Sequence, residues 1–250
     1  MERDKYIHGM DWTFMHEKGL GSLKNYRAYQ YNLISGHLGE DVLEVGSGDR
    51  GFTAEILRNH KQLKRLVSIE PSEGLFHTHH GNFKFPDSVK FDNKDLFHVD
   101  LETYGAFDSA VFIHVLEHIE NDRDALNHTA KLVKSGGTVL VEVPALPFLF
   151  SDHDRMLGHY RRYTKSMLKA AINPELYSIK RMWYNDPVGV AGSFIFFKLL
   201  KKKLNTNEGA ALVKNQGGIY DKYIIPMEAK IERYITFPFG LSLTAILERK

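Results

Sequence analysis

Short apolar segments alternate with helical segments along most of this 250-residue chain, and that alternation restricts the possible folds more than any other feature of the sequence. The apolar segments are predicted strands, at residues 41–46, 65–70, 89–92, 107–113, 138–143, 176–184 and 241–248. Strands that alternate with helices at this spacing form βαβ units, and helices then cover both faces of the sheet. The sequence therefore predicts an α/β fold with a doubly wound, mostly parallel sheet of seven strands.

Helical periodicity predicts a first helix over residues 22–38, with Ser22 as its cap. A second helix is expected over 52–60, directly after the first strand. A third is expected over 122–134, and the Ser-Gly-Gly sequence at 135–137 is expected to end it, because glycine adopts the left-handed conformation common after helices.

We expect a single domain over residues 1–250, with an N-terminal helical cap at 1–40 and a cofactor-binding core at 41–184. Residues 185–240 are longer than a simple crossover between strands needs, so they are interpreted as an inserted helical lid before the last strand. In open α/β sheets the ligand binds beyond the carboxyl ends of the strands, which is where functional residues are expected.

Composition and charge exclude several classes of protein. The net charge is only +2 with both signs mixed, which argues against a nucleic-acid-binding protein. Cysteine is absent, which excludes disulfides and thiolate metal sites and agrees with a reducing cytoplasm. The charged N-terminus does not resemble a secretory signal, and no segment reaches the roughly 18 apolar residues of a membrane-spanning helix. We therefore expect a cytoplasmic protein.

A glycine-rich turn follows the first predicted strand, with Gly46, Gly48 and Gly51 close together. Glycines permit positive φ angles and let a ligand approach the backbone, and the helix that follows offers free amides. The same spacing fits the dinucleotide-binding fingerprint. The turn alone therefore leaves a choice between two nucleotide-containing cofactors, and a tight turn without any ligand is the third explanation.

Acidic residues occur at the carboxyl ends of successive predicted strands. Glu70 is placed to accept hydrogen bonds from two ribose hydroxyls, and Asp95 from an adenine amine, with Leu96 covering the ring. Glu44 precedes the first glycine, where its carboxylate is expected to meet a cationic amine through bridging groups. For each acid the alternative is a solvated surface position, which their recurrence at strand ends disfavours.

Together these segments resemble the class I S-adenosylmethionine-dependent methyltransferases, and in particular bacterial small-molecule members of type 11 or 12. The matching segments lie at residues 42–48, 68–72, 95–96, 107–119 and 132–140. The resemblance implies a Rossmann-like sheet, S-adenosylmethionine as cofactor, and further cofactor contacts at Ser47, Pro71, Ser72 and His114. One departure is Arg50, which stands where members usually have a third glycine, with Gly51 one place late.

Two histidines are candidate acceptor-side catalytic residues, because imidazole titrates near neutral pH and can take a proton from an acceptor. His114 follows the strand at 107–113, and a helical segment expected directly after that strand places His118 on the same face. A metal would need a third ligand, and none is spaced for it along the chain, so no metal is assigned.

The segment at 151–163 is dense in acidic, imidazole, guanidinium and phenol side chains and follows the fifth predicted strand. Its Gly-His-Tyr-Arg-Arg-Tyr sequence resembles an element in bacterial members of the family that occur near sugar, polysaccharide or lipid-linked glycan pathways. Acceptor-binding candidates in this segment are His153, His159, Tyr160, Arg161, Arg162 and Tyr163, the two histidines also being candidate bases. The alternative is an ion-paired loop leading into a helix at Lys165.

Two N-terminal aromatic residues, Trp12 and Tyr26, are expected to cover the bound cofactor and acceptor. The predicted activity is transfer of a methyl group from S-adenosylmethionine to an oxygen or nitrogen of a small acceptor, by a monomer or homodimer that binds no nucleic acid. The alternative is an NAD-dependent oxidoreductase or sugar-nucleotide enzyme, which a missing Tyr-x-x-x-Lys pair disfavours. Residues 194–203 also raise peripheral membrane contact, although a buried lid or dimer helix is preferred.

Overall fold

A computed structural model describes residues 23–78, 84–200 and 218–250. Its centre is one seven-stranded sheet with the order β3-β2-β1-β4-β5-β7-β6. The strands are β1 (Asp41–Val45), β2 (Arg65–Ile69), β3 (Val89–Asp92), β4 (Phe107–Ile113), β5 (Val133–Pro144), β6 (Tyr177–Asn185) and β7 (Ser242–Arg249). β1 to β5 are parallel, and β7 lies antiparallel between β5 and β6. The prediction of a doubly wound, mostly parallel α/β sheet is confirmed.

Helices connect the strands and cover the sheet. They are α1 (Lys24–Ile34), α2 (Gly51–Asn59), α3 (Glu73–Thr78), α4 (Leu101–Tyr104), α5 (Asp122–Leu132), α6 (Asp152–Leu157), α7 (Lys165–Ala171), α8 (Pro187–Ser193) and α9 (Ile225–Ile231). Single 3-10 turns occupy Ser35–His37, Leu96–His98, Leu116–His118 and Pro147–Leu149. Two π-helical segments, Phe194–Leu199 and Tyr220–Ile224, flank the undescribed part of the insertion.

Alternate residues of each strand enter the apolar cores on opposite faces of the sheet. On β1, Val42 joins the core that contains Ile34 and Ile56 of α1 and α2. Its neighbour Leu43 joins the core that contains Leu126 of α5. Helices therefore bury both faces, and the sheet presents its strand ends as its main polar edge.

Two predicted helix ends are wrong. The first helix stops at Ile34, and a 3-10 turn at Ser35–His37 follows. The third stops at Leu132, because Val133 takes an extended conformation and pairs with Phe107. The Ser-Gly-Gly sequence therefore lies inside β5, at an irregularity in its pairing with β4, and not at a helix end.

Hydrogen bonds join helix α1 to the insertion, which comprises residues 185–240. The Asp221 carboxylate accepts hydrogen bonds from the backbone amides of Asn25 and Tyr26, at 3.2 and 2.8 Å. The Tyr29 hydroxyl donates to Glu232 at 2.7 Å. Two elements far apart in sequence thus form one cover near the carboxyl ends of β5 and β6.

Some predictions fall outside the described residues, namely those for Ser22, for Trp12 and for residues 201–203 of the segment considered for membrane contact. Within the described ranges, no helix combines the length and the apolar character needed to cross a bilayer.

Candidate active site

The turn after β1 is bound to the neighbouring strand β2. The backbone amides of Gly46 and Ser47 both donate to the Ile69 carbonyl, at 2.9 and 3.0 Å. Gly46 has a φ of +76°, and a Cβ placed on it would lie 2.6 Å from a methyl carbon of Val115. Glycine is therefore required here both by backbone conformation and by space.

The outer side of the same turn is open. Gly48 has a φ of +50°, and a Cβ placed on it would meet no atom within 4 Å. The Ser47 hydroxyl is buried and has no hydrogen-bond partner within the described part of the chain. Open space at Gly48 and an unsatisfied hydroxyl on the neighbouring residue are what a ligand lying along the turn would require.

Glu70 lies beside this open space, just beyond the end of β2. Its two carboxylate oxygens accept hydrogen bonds from the backbone amides of Gly48, at 2.9 Å, and Ser72, at 3.0 Å. Pro71 lies between Glu70 and Ser72 in the chain. Each carboxylate oxygen can accept more than one hydrogen bond. The turn therefore holds Glu70 in one orientation, as an acceptor for hydroxyl groups.

The predicted adenine contacts lie at the end of the next strand. Asn93 donates from its side chain to the Glu70 carbonyl at 2.7 Å, which joins the ends of β2 and β3. The Asp95 carboxylate accepts from the Phe97 amide at 2.9 Å and caps the 3-10 turn in which Leu96 is buried. Glu70 and Asp95 thus follow adjacent strands, as the sequence predicts.

Glu44 lies in the core between β1, β2 and α2. One of its oxygens accepts hydrogen bonds from the hydroxyls of Thr53 at 2.5 Å and Ser68 at 2.6 Å. Burial raises the pKa of Glu44 from 4.5 to about 7, although these two hydrogen bonds oppose the shift. Glu44 is therefore buried and already hydrogen-bonded, so any effect on a bound cofactor would be indirect, through neighbours such as Thr53 and Ser68.

Arg50, the departure from the family pattern, is accommodated by its surroundings. Its φ is +62°, and its side chain is folded back into the protein with 2% of the residue exposed. The guanidinium donates to the Phe76 carbonyl at 3.0 Å and lies 4.2 Å from the ring centre of Phe91. Arginine in the left-handed conformation is strained, and the buried cation–π contact with Phe91 offsets that strain. Glycine would adopt the same conformation without strain.

His114 directly follows β4 with a φ of +53° and lies between two buried carboxylates. Its Nε2 is 3.3 Å from Glu142 and its Nδ1 is 3.5 Å from Glu117. Desolvation alone would lower the pKa of His114, but these carboxylates outweigh it and raise the pKa to about 9. An imidazolium has no lone pair, so this environment does not favour the predicted role of His114 as a base.

The prediction that His114 and His118 share a helical face is wrong. Only the 3-10 turn Leu116–His118 follows β4, and the left-handed backbone of His114 separates it from that turn. The turn instead brings Glu117 and His118 beside His159 of the 151–163 segment, and one ligand atom from each lies within 4.8 Å of the others. Three potential metal ligands therefore meet where spacing along the chain shows only two.

Most of the 151–163 segment is held by its own charges, as the ion-paired alternative predicts. The buried Asp154 carboxylate accepts from the Arg162 guanidinium at 2.7 Å and lies 3.1 Å from His159 Nδ1, and these partners lower its pKa against the effect of burial. Arg161 and the Tyr163 hydroxyl both contact Asp122, at 3.1 and 2.9 Å. These arginines are therefore committed to internal partners.

Two other candidates in this segment lie differently. Tyr160 is 49% exposed. His153 stacks on Phe197 of the insertion, with ring centres 4.2 Å apart and planes 8° apart, and burial lowers its pKa to about 4. His153 is therefore neutral near pH 7 and joins α6 to the insertion.

Sequence reasoning identified Tyr26 but missed the other polar side chains that lie near it and His114. Glu142 accepts from Gln30 of α1 at 3.1 Å, and the Ser242 hydroxyl is 3.4 Å from His114 Nε2. Tyr26 lies beside Ser242 and Asp186, and burial together with the Asp186 charge raises its pKa well above the usual range. An acidic residue inside the apolar strand β5 is the signal that would have identified Glu142.

Within this group, buried atoms lack partners among the described residues: Glu142 Oε2, Asn185 Nδ2 and Asp186 Oδ2. Orphaned buried polar atoms are uncommon in folded proteins and mark positions where a ligand or water completes the hydrogen bonding. We call Tyr26, Glu142, Asn185, Asp186 and Ser242 the polar end of the site.

A family model described as a methyltransferase domain matches residues 23–180. None of the curated proteins matches the sequence.

Solved structures share the fold at low identity. A SAM dependent methyltransferase from Archaeoglobus fulgidus has a TM-score of 0.61 and 15% identity, covering 96% of this chain and 100% of the other. A chain of the complex between the Haloferax volcanii Trm112 methyltransferase activator and a methyltransferase has a TM-score of 0.61 and 15% identity, over 97% and 96% of the two chains. The [4+2]-cyclase SpnF has a TM-score of 0.57 and 16% identity, over 89% and 80%.

The raised pKa of Glu44 predicts that the stability of the protein depends on pH. Its pKa is higher in the folded protein than in the unfolded chain, so its contribution to stability is full below pH 4.5 and is lost as the pH rises through 7. Relative to wild type, Glu44→Gln is expected to gain about 2 to 3 kcal/mol in free energy of unfolding between pH 4 and pH 8. Urea unfolding of both proteins across that pH range measures the difference in free energy of unfolding. A difference that does not change with pH would contradict the raised pKa of Glu44.

The left-handed backbone at Arg50 predicts different stabilities for its alanine and glycine variants. Arg50→Ala is expected to lower the free energy of unfolding by about 2 kcal/mol or more, because the buried contacts with the aromatic rings are lost. Arg50→Gly loses the same contacts but relieves the left-handed backbone, so it should be about 1 kcal/mol more stable than Arg50→Ala. Urea unfolding at one pH compares them, and an alanine variant at least as stable as the glycine variant would refute this explanation.

Proposed function

The chain belongs to the methyltransferase domain family, and from this premise we propose that it transfers the methyl group of S-adenosylmethionine to an oxygen or nitrogen of a small polar acceptor. The observation that carries the proposal is the Glu70 carboxylate, held by the amides of Gly48 and Ser72 beside the open face of the turn. A rigid carboxylate in that position suits the two hydroxyls of a ribose.

The donor would be held by residues at three strand ends. Gly46 and Gly48 allow a ligand to approach the backbone, and the buried Ser47 hydroxyl supplies an unsatisfied polar group there. Glu70 would accept from the ribose, while Asp95 and Leu96 would receive the adenine. When bound, S-adenosylmethionine supplies a methyl group already activated by its sulfonium charge, so the protein's task is largely to position the acceptor.

The acceptor would lie against the polar end of the site. Unpaired oxygens of Glu142 and Asp186 and an unpaired amide nitrogen of Asn185 favour an acceptor that both donates and accepts hydrogen bonds. Sugars, glycans and lipid-linked intermediates have this character. Tyr26 and Ser242 extend the same surface from α1 and β7, so the acceptor would be oriented by groups from several elements.

The cover formed by α1 and the insertion favours a small acceptor, or the end of a larger one, over a folded macromolecule. Phe197 of the insertion covers His153, while its neighbour Leu199 is 66% exposed. Phe194, Ile195 and Leu200 of the same segment are exposed as well, and several exposed apolar side chains on one segment agree with an acceptor that carries a lipid. Glycan or lipid-linked acceptors are therefore the first to test.

Binding calorimetry with S-adenosylhomocysteine tests the donor end. Glu70→Gln is expected to weaken binding at least tenfold, because an amide replaces one acceptor oxygen and cannot serve both hydroxyls. Gly48→Ala should also weaken binding at least tenfold while the protein still folds, since its methyl group would project into the open space. Glu73→Gln, on the exposed first turn of α3, is the matched control and should bind like wild type. Equal affinity of Glu70→Gln and Glu73→Gln would contradict the assignment of Glu70.

Transfer of a labelled methyl group tests the acceptor. Wild-type protein with S-adenosylmethionine labelled in the methyl group is expected to label the small-molecule or lipid fraction of a bacterial extract, and Glu70→Gln much less. Mass spectrometry of the product then locates the methyl group on oxygen or nitrogen. Label confined to protein or nucleic acid would overturn the proposed acceptor class.

A further inference from the structure

We propose that Glu117, His118 and His159 bind one divalent transition-metal ion at the carboxyl edge of the sheet. The three side chains offer one carboxylate oxygen and two imidazole nitrogens, all within 4.8 Å of one another. They come from the 3-10 turn after β4 and from the end of the 151–163 segment, so the fold and not the sequence spacing assembles them. The site is distinct from the glycine turn that would hold the cofactor.

The buried carboxylate of Glu117 is the first observation behind this proposal. Glu117 is 0% exposed, and neither of its oxygens has a hydrogen-bond partner among the described residues. Its ion pairs with the imidazoles of His114 and His159, at 3.5 and 3.9 Å, are longer than ordinary hydrogen bonds. A buried carboxylate without hydrogen bonds is costly, and a cation between Glu117 and the imidazoles would satisfy it.

The orientation of His159 is the second observation. Its Nδ1 lies 3.1 Å from the Asp154 carboxylate, which is itself fixed by Arg162 at 2.7 Å and by the Ser151 amide at 2.9 Å. Because Nδ1 donates to Asp154, the neutral imidazole has its lone pair on Nε2, which is the atom facing Glu117. A carboxylate that orients a histidine in this way is the usual second layer of a protein metal site.

The ring of His118 completes the arrangement. It meets the His159 ring edge to face, with centres 4.7 Å apart and planes at 86°. Ligand atoms around an ion bonded at about 2.1 Å lie at most about 4.2 Å apart. The observed separations of up to 4.8 Å exceed that limit by about 0.6 Å, so the proposed ion requires a small inward rotation of these side chains.

The ligand types indicate the class of ion. Two imidazoles and one carboxylate suit Zn²⁺, Co²⁺ and related first-row ions, whereas Mg²⁺ and Ca²⁺ prefer oxygen ligands. Three protein ligands leave at least one coordination position for water or for an oxygen or nitrogen of another molecule. The ion would lie next to His114, which contacts Glu117 on one side and the polar end of the site on the other.

Titration of tag-free protein with Co²⁺, followed by visible absorption, tests the proposal without any cofactor present. Wild type is expected to bind one Co²⁺ with the visible bands of a site containing imidazole nitrogens. His159→Gln and His118→Gln should each bind at least tenfold more weakly. His37→Gln is the matched control, because His37 is exposed near the amino ends of β1 and β4, and it should bind like wild type.

Asp154→Asn supplies a second test that removes no proposed ligand. Second-layer substitutions weaken metal binding about 10- to 100-fold, and this variant should do so if Asp154 orients His159. Thermal unfolding of each variant establishes that it is folded, and His118→Gln alters a half-buried side chain and should fold. Absence of stoichiometric Co²⁺ binding, or equal binding by His118→Gln and His37→Gln, would overturn the proposal.

The outcome is independent of the proposed methyltransferase activity. Metal binding is measured on the protein alone, and S-adenosylhomocysteine binding is measured by calorimetry at a different group of residues. A protein that binds the nucleoside but not Co²⁺ refutes only the metal site. A protein that binds Co²⁺ but not the nucleoside refutes only the proposed donor.

Discussion

The turn after β1 has no room for a side chain at Gly46, and the rest of the site depends on that restriction. Val115, which follows β4, occupies the space that a Cβ would need. The turn is also bonded to β2, through the Ile69 carbonyl and the Glu70 carboxylate. Packing from one neighbouring strand and hydrogen bonds from the other therefore fix the turn, and its open side faces outward at Gly48. This geometry leaves open space beside the end of β1, which is where we propose that the nucleoside of the cofactor binds.

The order and extent of most elements were predictable, because apolar runs of strand length separate them. The predicted bounds of the third and fourth strands agree with β3 and β4. The ends of helices were less predictable. Helix α5 ends at Leu132 because Val133 pairs with Phe107 of β4, and that pairing exists only in the assembled sheet. The left-handed conformation of Arg50 likewise depends on Phe76 and Phe91, which arrive from later parts of the chain.

The same reason limits what sequence shows about the acceptor side. The placement of Glu70 and Asp95 after adjacent strands was predictable, because parallel strands bring their carboxyl ends together. The sequence does not show which polar residues of the 151–163 segment pair with one another and which face solvent. In the structure Arg162 donates to Asp154, whereas Tyr160 is exposed. Likewise, no spacing rule joins His159 to Glu117, because the turn at Leu116–His118 and the anchor at Asp154 are both needed. Tertiary contacts therefore decide which polar residues support the fold and which face a ligand.

A crystal structure of the protein with S-adenosylhomocysteine tests the central claim most directly, namely that the turn after β1 and Glu70 hold the methyl donor. The ribose hydroxyls are expected within hydrogen-bond distance of the Glu70 carboxylate, with the homocysteine chain along Gly46 to Gly48 and the sulfur directed toward the polar end of the site. A nucleoside bound elsewhere, or one whose ribose does not contact Glu70, would contradict this account.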